Sequence, residues 1–173
     1  MTPRERTIEH RYEATLTWTG NEGTGTKDYR SYGRSYVVAV EGKPELRGSA
    51  DPMFRGDAAL HNPEDLFLAA LSGCHMLSYL ALCARRGLRV LAYEDRASGV
   101  LTLEGGGGRF TEIELNPVVT LAGGDGGSAG VDTVDLELAE ALHETAHEQC
   151  FIANSVSIPV RCNPTVRREA TLG

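Results

Sequence analysis

The alternation of apolar and polar positions changes period several times along this chain, and each change marks an element. Residues 11–19 alternate with period two and predict a strand. The Gly- and Thr-rich stretch Gly20 to Thr26 reads as a turn. Ser35 to Val40, rich in β-branched residues, is a second strand, ended by Gly42-Lys43-Pro44. Residues 47–61 show no periodicity and read as a loop, and a loop of that length in a small domain often carries function. A strong helix signal follows. Asn62 can cap, Pro63 suits the first helical position, and Glu64 and Asp65 favour the positive end of the helix dipole. The helix is expected to reach about Arg86 and stop at Gly87. Being apolar nearly all round, it is expected to be central and fully buried.

Segments 88–103 and 109–121 read as the two strands of a hairpin turned by Gly105 to Gly108. A second glycine turn covers 123–130. Residues 131–149 form an amphipathic helix with Val134, Leu138, Ala141 and Leu142 on its apolar face. Ser155 to Val160 is a last short strand, closed by an Arg161-Cys162-Asn163-Pro164 turn. The order of strands, helix, strands, helix, strand is an α+β arrangement, with two central helices against antiparallel sheet. One domain spanning 1–173 is expected, in four segments: 1–61, 62–87, 88–130 and 131–173.

Composition adds exclusions. The apolar fraction of 41% suffices for a core, and the formal net charge is −7. Without a dense Lys/Arg stripe, neither nucleic acid nor an anionic membrane surface is an expected partner. The apolar run Leu66 to Leu82 is interrupted by Ser72, Gly73, His75, Ser78 and Tyr79, and falls short of the roughly 20 apolar residues of a membrane span. No apolar segment follows the charged Met1-Thr2-Pro3-Arg4-Glu5-Arg6 start, so no secretory signal is expected and a cytoplasmic location is.

The candidate chemistry rests on thiols. Cys74, Cys83, Cys150 and Cys162 are widely spaced and include no CxxC pair. Cys74 lies in the apolar helix, where a free cysteine is commonly a small core residue. As a nucleophile it needs a buried cation, because an apolar surround suppresses the thiolate; arginine suits this best. Cys150 directly follows the second helix, whose C-terminal end disfavours a thiolate. It is a poor first nucleophile but an acceptable resolving thiol. Cys83 and Cys162 read as structural. His143-Glu144-Thr145-Ala146-His147 matches H-E-x-x-H, the pattern of a zinc hydrolase, with Glu169 the one plausible downstream third ligand. A His- and Glu-rich helix surface also matches it by chance, with incidental metal binding. The sequence leaves open whether His75 or His147 tunes a nearby thiol.

Two cysteine-centred motifs make the chain recognisable. Asn62-Pro63-Glu64-Asp65-Leu66 with Ala69-Ala70-Leu71-Ser72-Gly73-Cys74-His75-Met76, then Cys150 with Ala153-Asn154-Ser155-Val156 and Pro159-Val160, resemble the OsmC/Ohr family of osmotically induced and organic hydroperoxide resistance proteins. The resemblance runs from about Trp18 to Val160. It implies an intertwined homodimer with two active sites at its interface. It implies reduction of organic hydroperoxides, and of hydrogen peroxide less well, without metal or flavin. Cys74 would be the peroxidatic thiol and Cys150 the resolving one, with an external dithiol, lipoyl-type in some members, as reductant. A glutamate and an arginine are also implied. Glu64 matches the first. The second is less marked, since the family's Gly-Gly-Arg pattern is absent; Arg34 is chosen, with Arg30 and Arg55 as alternatives. Ten residues of straight helix separate Glu64 from Cys74 by about 15 Å along the axis. Glu64 is therefore expected to act through arginine or on a partner subunit's thiol, unless the helix breaks near Ser72-Gly73. A non-catalytic thiol sensor on the same fold is the alternative reading.

Overall fold

In the computed structural model of the chain, which describes residues 7–123 and 129–169, the longest element is the helix α1, Pro63–Arg85. Both of its ends follow from local chemistry. Asn62 Oδ1 accepts the Asp65 N–H at 2.8 Å while Asp65 Oδ2 accepts the Asn62 N–H at 3.2 Å, a reciprocal cap that satisfies two otherwise orphaned donors. At the other end Gly87 adopts φ 75°, and the Leu88 N–H returns to the Cys83 carbonyl at 3.0 Å, a Schellman closure that only glycine makes without strain.

The chain divides after Leu66 into two compact units. The first carries an antiparallel sheet of β1 (Thr15–Trp18), β2 (Tyr36–Ala39) and β3 (Leu46–Gly48), in that order. Here β3 and a short 3-10 turn, Pro52–Phe54, occupy the segment expected to be loop. Tyr36 stands over Gly48, where a Cβ would fall 2.3 Å from the Tyr36 ring, so the close approach requires glycine.

The second unit holds two sheets and the helix α2, Ala129–Glu148. Strands β4 (Val90–Asp95), β5 (Ser98–Glu104), β6 (Gly107–Leu115) and β7 (Pro117–Leu121) replace the two long strands expected. The pairing is that of a single hairpin, turned by Gly105 and Gly106 with φ 59° and 85°. It bends where Arg96 and Ala97 interrupt one arm and Asn116 the other. Asp95 Oδ1 accepts the Asn116 N–H at 2.7 Å, taking a donor out of the ladder and sending each half into a different sheet. After α2 come β8 (Val160–Cys162) and β9 (Thr165–Arg168), which join β6 and β7 in parallel. The sheets β5-β6-β8 and β4-β7-β9 are therefore mixed rather than antiparallel. The physical reason is the crossover through α2, which returns the chain running in the direction of β6 and β7. The last strand expected at 155–160 is displaced: Ala153–Ser155 is a 3-10 turn, and Arg161 and Cys162 belong to β8 instead of a turn.

The core of this unit joins Tyr79, Leu82 and Cys83 of α1 to Val119 and Leu121 of β7 and Ala139, Leu142 and Ala146 of α2. The buried face of α2 is thus rotated from the expected one; Ala141 is exposed and His143 is inside. Helix α1 is not buried all round within the chain. Its buried stripe is Leu71, His75, Tyr79, Leu82 and Cys83, and Leu77 on another face is exposed. By length and composition alone α1 would suit a membrane span, against the expectation from its interrupted apolar run, although its buried stripe carries a histidine and a tyrosine. The Met1–Arg6 start and most of the 123–130 glycine turn lie outside the described residues.

Candidate functional site: a thiol pair beside a histidine–cysteine knot

Cys74, half-buried on α1, and Cys150, 1% exposed just past α2, are brought together in the second unit, the two thiols near enough to act on each other and both reduced. The segment after α2 positions Cys150. The Asn154 side-chain amide donates to the Glu148 carbonyl at 2.8 Å and so caps the helix, while the Asn154 N–H returns to the Cys150 carbonyl at 3.0 Å. The fold back presents the Ala153 N–H to the Cys150 sulfur at 3.5 Å.

Burial pushes the Cys150 thiol above its ordinary value, and the neighbouring Cys74 sulfur adds to the rise. The Ala153 and Ile152 N–H groups oppose it by favouring the thiolate. Cys150 is therefore held protonated, with desolvation rather than the helix end as the main cause. Within this unit, no hydrogen bond or ion pair among the described residues links a cation to Cys74. Helix α1 is unbroken at Ser72-Gly73.

The other expected site residues lie in the first unit. Arg34 donates to the Tyr32 carbonyl and, at 2.6 Å, to the Tyr29 carbonyl, with its guanidinium over both tyrosine rings at 4.0 and 4.5 Å. Arg30 is exposed, its N–H donating to Asp28 Oδ1 at 2.8 Å. Arg55 is exposed, at the end of the 3-10 turn with φ 67°. Glu64, in the first turn of α1, is close enough to Tyr36 to help hold its hydroxyl protonated, after burial, the larger cause.

Beside the thiol pair the second unit holds a cluster that pattern reading did not assemble. His75 (0% exposed) and His143 (2% exposed) stack with ring planes 12° apart, and His75 Nε2 lies 3.0 Å from His143 Nδ1. The Cys162 sulfur lies 3.5 Å from the same His75 nitrogen. Tyr79 stacks on His143 with ring centroids 3.8 Å apart. Desolvation drives both imidazoles to the neutral form, lowering His75 to about 4 and His143 to about 3. Burial first, then the charge of Asp95, lifts Cys162 to about 11. Among the described residues His75 Nδ1, His143 Nε2 and His147 Nδ1 find no hydrogen-bond partner.

The H-E-x-x-H pattern is thus taken apart. His143 turns inward to His75, Glu144 is exposed, and Glu169 is exposed beyond β9. Cys162, read as structural, belongs to this cluster, while Cys83 does stay in the core with Tyr79. The signal for His75 was its place in the Leu71–His75–Tyr79 stripe, where i, i+4 spacing buries it. Nothing local marked Cys162, because its partners lie far off in sequence.

Residues 56–164 match the sequence profile of the OsmC-like protein family. A search among curated proteins found no match. Among solved structures, an OsmC-like protein of unknown function from Vibrio cholerae shares 31% identity, with 91% of this chain and 100% of that one covered and a TM-score of 0.78. An organic hydroperoxide resistance protein from Elizabethkingia anophelis shares the fold at 20% identity, covering 95% of this chain and 100% of its own, TM-score 0.63. An organic hydroperoxide resistance protein from Bacillus subtilis does so at 18%, covering 91% and 98%, TM-score 0.54. On the profile match and the Vibrio likeness together, this chain belongs to the OsmC-like family.

Proposed function

We propose that this protein is a cysteine-based peroxidase that reduces organic hydroperoxides, and hydrogen peroxide less well. The observation that carries the reading is the pairing of Cys74 with a protonated, buried Cys150 whose sulfur is already in reach. The Cys74 thiolate attacks one peroxide oxygen; the sulfur–oxygen bond forms, the oxygen–oxygen bond breaks, and the alcohol leaves after taking a proton. Cys74 is then a sulfenic acid. Cys150, as thiolate, attacks that sulfur, forming the disulfide and expelling water. An external dithiol, of lipoyl type, returns both thiols by exchange.

Arg34 and Glu64 are the proposed activating pair, the arginine favouring the thiolate and the glutamate holding the arginine. Arg34 is already oriented by two carbonyls and two rings, which suits a preorganised cation better than the exposed Arg30 or Arg55. The working form is a homodimer. Support comes from the apolar Leu77 of α1, Val100, Leu101 and Leu103 of β5, and Phe151 beside Cys150, all exposed on the single chain.

The test is consumption of cumene hydroperoxide with a dithiol reductant by the wild type and a Cys74→Ser variant. Turnover by the wild type alone is the expected result. Equal rates would remove the catalytic reading. A Cys74–Cys150 disulfide that forms once and is not recycled by any dithiol would favour a thiol sensor.

A further inference from the structure

The geometry points to a buried site for a borderline transition-metal cation, zinc first, held by His75, His143 and Cys162. It is independent of the peroxidase reading, since it uses neither Cys74 nor Cys150. The three donor atoms lie within 4.8 Å of one another, and two of the three separations are 3.0 Å between nitrogens and 3.5 Å between nitrogen and sulfur. With metal–nitrogen bonds of about 2.05 Å and a metal–sulfur bond of about 2.3 Å, a tetrahedral centre has nitrogen–nitrogen edges of about 3.3 Å and nitrogen–sulfur edges of about 3.6 Å. Those two edges need to shift by only a few tenths of an ångström, and the third, between His143 and Cys162, must settle at about 3.6 Å from within 4.8 Å. The donors come from α1, α2 and β8, which the core and the β6–β8 pairing hold in register.

The chemistry of the set agrees with its geometry. A metal takes imidazole in the neutral form, and burial keeps both rings neutral. Two imidazoles and one thiolate suit zinc or copper rather than magnesium or calcium, which prefer oxygen. A divalent ion with one thiolate leaves one surplus positive charge. The Asp95 carboxylate, fixed by Ser72 and Asn116, acts on both His75 and Cys162 and would balance it. An entry path exists: a cavity of about 610 Å³ is lined by His143 and Cys162 with His147, Glu140 and Glu144. A fourth, exchangeable ligand would enter from that cavity. Binding replaces the Cys162 sulfur–hydrogen bond with a sulfur–metal bond and releases one proton per ion to solvent.

The experiment titrates chelator-treated, reduced protein with Co²⁺ as the optical probe and then displaces it with Zn²⁺. One ion per chain is expected, with visible bands of a tetrahedral site and a thiolate-to-cobalt charge-transfer band. Cys162→Ser should abolish that band. Asp95→Ala should keep it but weaken affinity by roughly 10–100-fold, the usual cost of losing an outer-shell partner. Glu144→Gln combined with His147→Ala should also keep it. Should Cys162→Ser fail to fold, wild-type protein still decides the matter: Zn²⁺ should shield Cys162, and neither Cys74 nor Cys150, from alkylation read by mass spectrometry. A charge-transfer band that survives Cys162→Ser and vanishes with Cys74→Ser overturns the site, as does shielding of Cys74 alone. Cobalt bound without any thiolate band, or no binding, overturns it equally.

Discussion

Ser72 Oγ donates to Asp95 Oδ2 at 2.5 Å, tying α1 to the point where the long hairpin bends. The other Asp95 oxygen takes the Asn116 N–H at 2.7 Å, so one carboxylate joins a helix and both arms of the hairpin. Hydrogen bonds to a charged group carry about 1.5–3 kcal/mol each, and their loss here leaves two half-buried donors unmet. Asp95→Ala should lower unfolding stability by about 2–3 kcal/mol. A urea unfolding curve with an unchanged midpoint would show that the bend is held by other contacts.

Cys150→Ser should separate the two halves of the chemistry. Peroxide consumption should stop after about one equivalent per chain, with a sulfenic acid left on Cys74. Trapping with a sulfenic-specific reagent and mass spectrometry would detect it. Continued turnover would mean that the external thiol reaches Cys74 directly.

The raised pKa of Cys150 sets the pH dependence of resolution. A thiol held above its ordinary value is protonated at neutral pH, and only the thiolate closes the disulfide. Resolution should therefore quicken with pH, by about tenfold per unit while the pH stays below that pKa. Rapid mixing followed by acid quench, with disulfide counted at each pH, gives the slope. A flat profile from neutral pH upward would contradict it.

Arg34→Lys should fail to replace arginine. A lysine cannot keep two carbonyls and two tyrosine faces engaged at once. If Arg34 activates Cys74, kcat/KM for hydroperoxide should fall by about 10²-fold, and the pH midpoint of Cys74 alkylation should rise. An unmoved alkylation midpoint would leave Arg34 with a role only in the fold of the first unit.

Gly87→Ala forces a side chain into φ 75° and should cost about 1–2 kcal/mol. Thermal unfolding should register the change, with activity preserved at low temperature.

How much of this was readable in advance divides by range of interaction. Asn62, Pro63, Asp65 and Gly87 set the limits of α1 through neighbours within a few positions, and local pattern finds such signals. The Gly105–Gly106 turn is of the same kind. The bend at Asp95 was not legible, because its cause is an Asn116 N–H from the opposite arm. Nor was β9, which has no strong alternation and exists because β7 offers it an open edge. Among the site residues, the Cys74–Cys150 pair came from two motifs taken together, neither sufficient alone. His143 was noticed for the wrong companion: H-E-x-x-H pointed along its own helix to His147, whereas burial turned it across to His75. Cys162 gave no signal at all, since its role depends on a parallel strand pairing.

That pairing has a consequence for the order in which the molecule is made. Ile113 of β6 meets Val160 of β8, and Val118 of β7 meets Thr165 of β9, so both sheets of the second unit stay open along one edge until the residues past Val160 have been synthesised. Contacts of such long sequence separation carry a high loop-closure cost and form late in folding. His75 and His143 must therefore wait for Cys162, which arrives with the strand that seals the sheet.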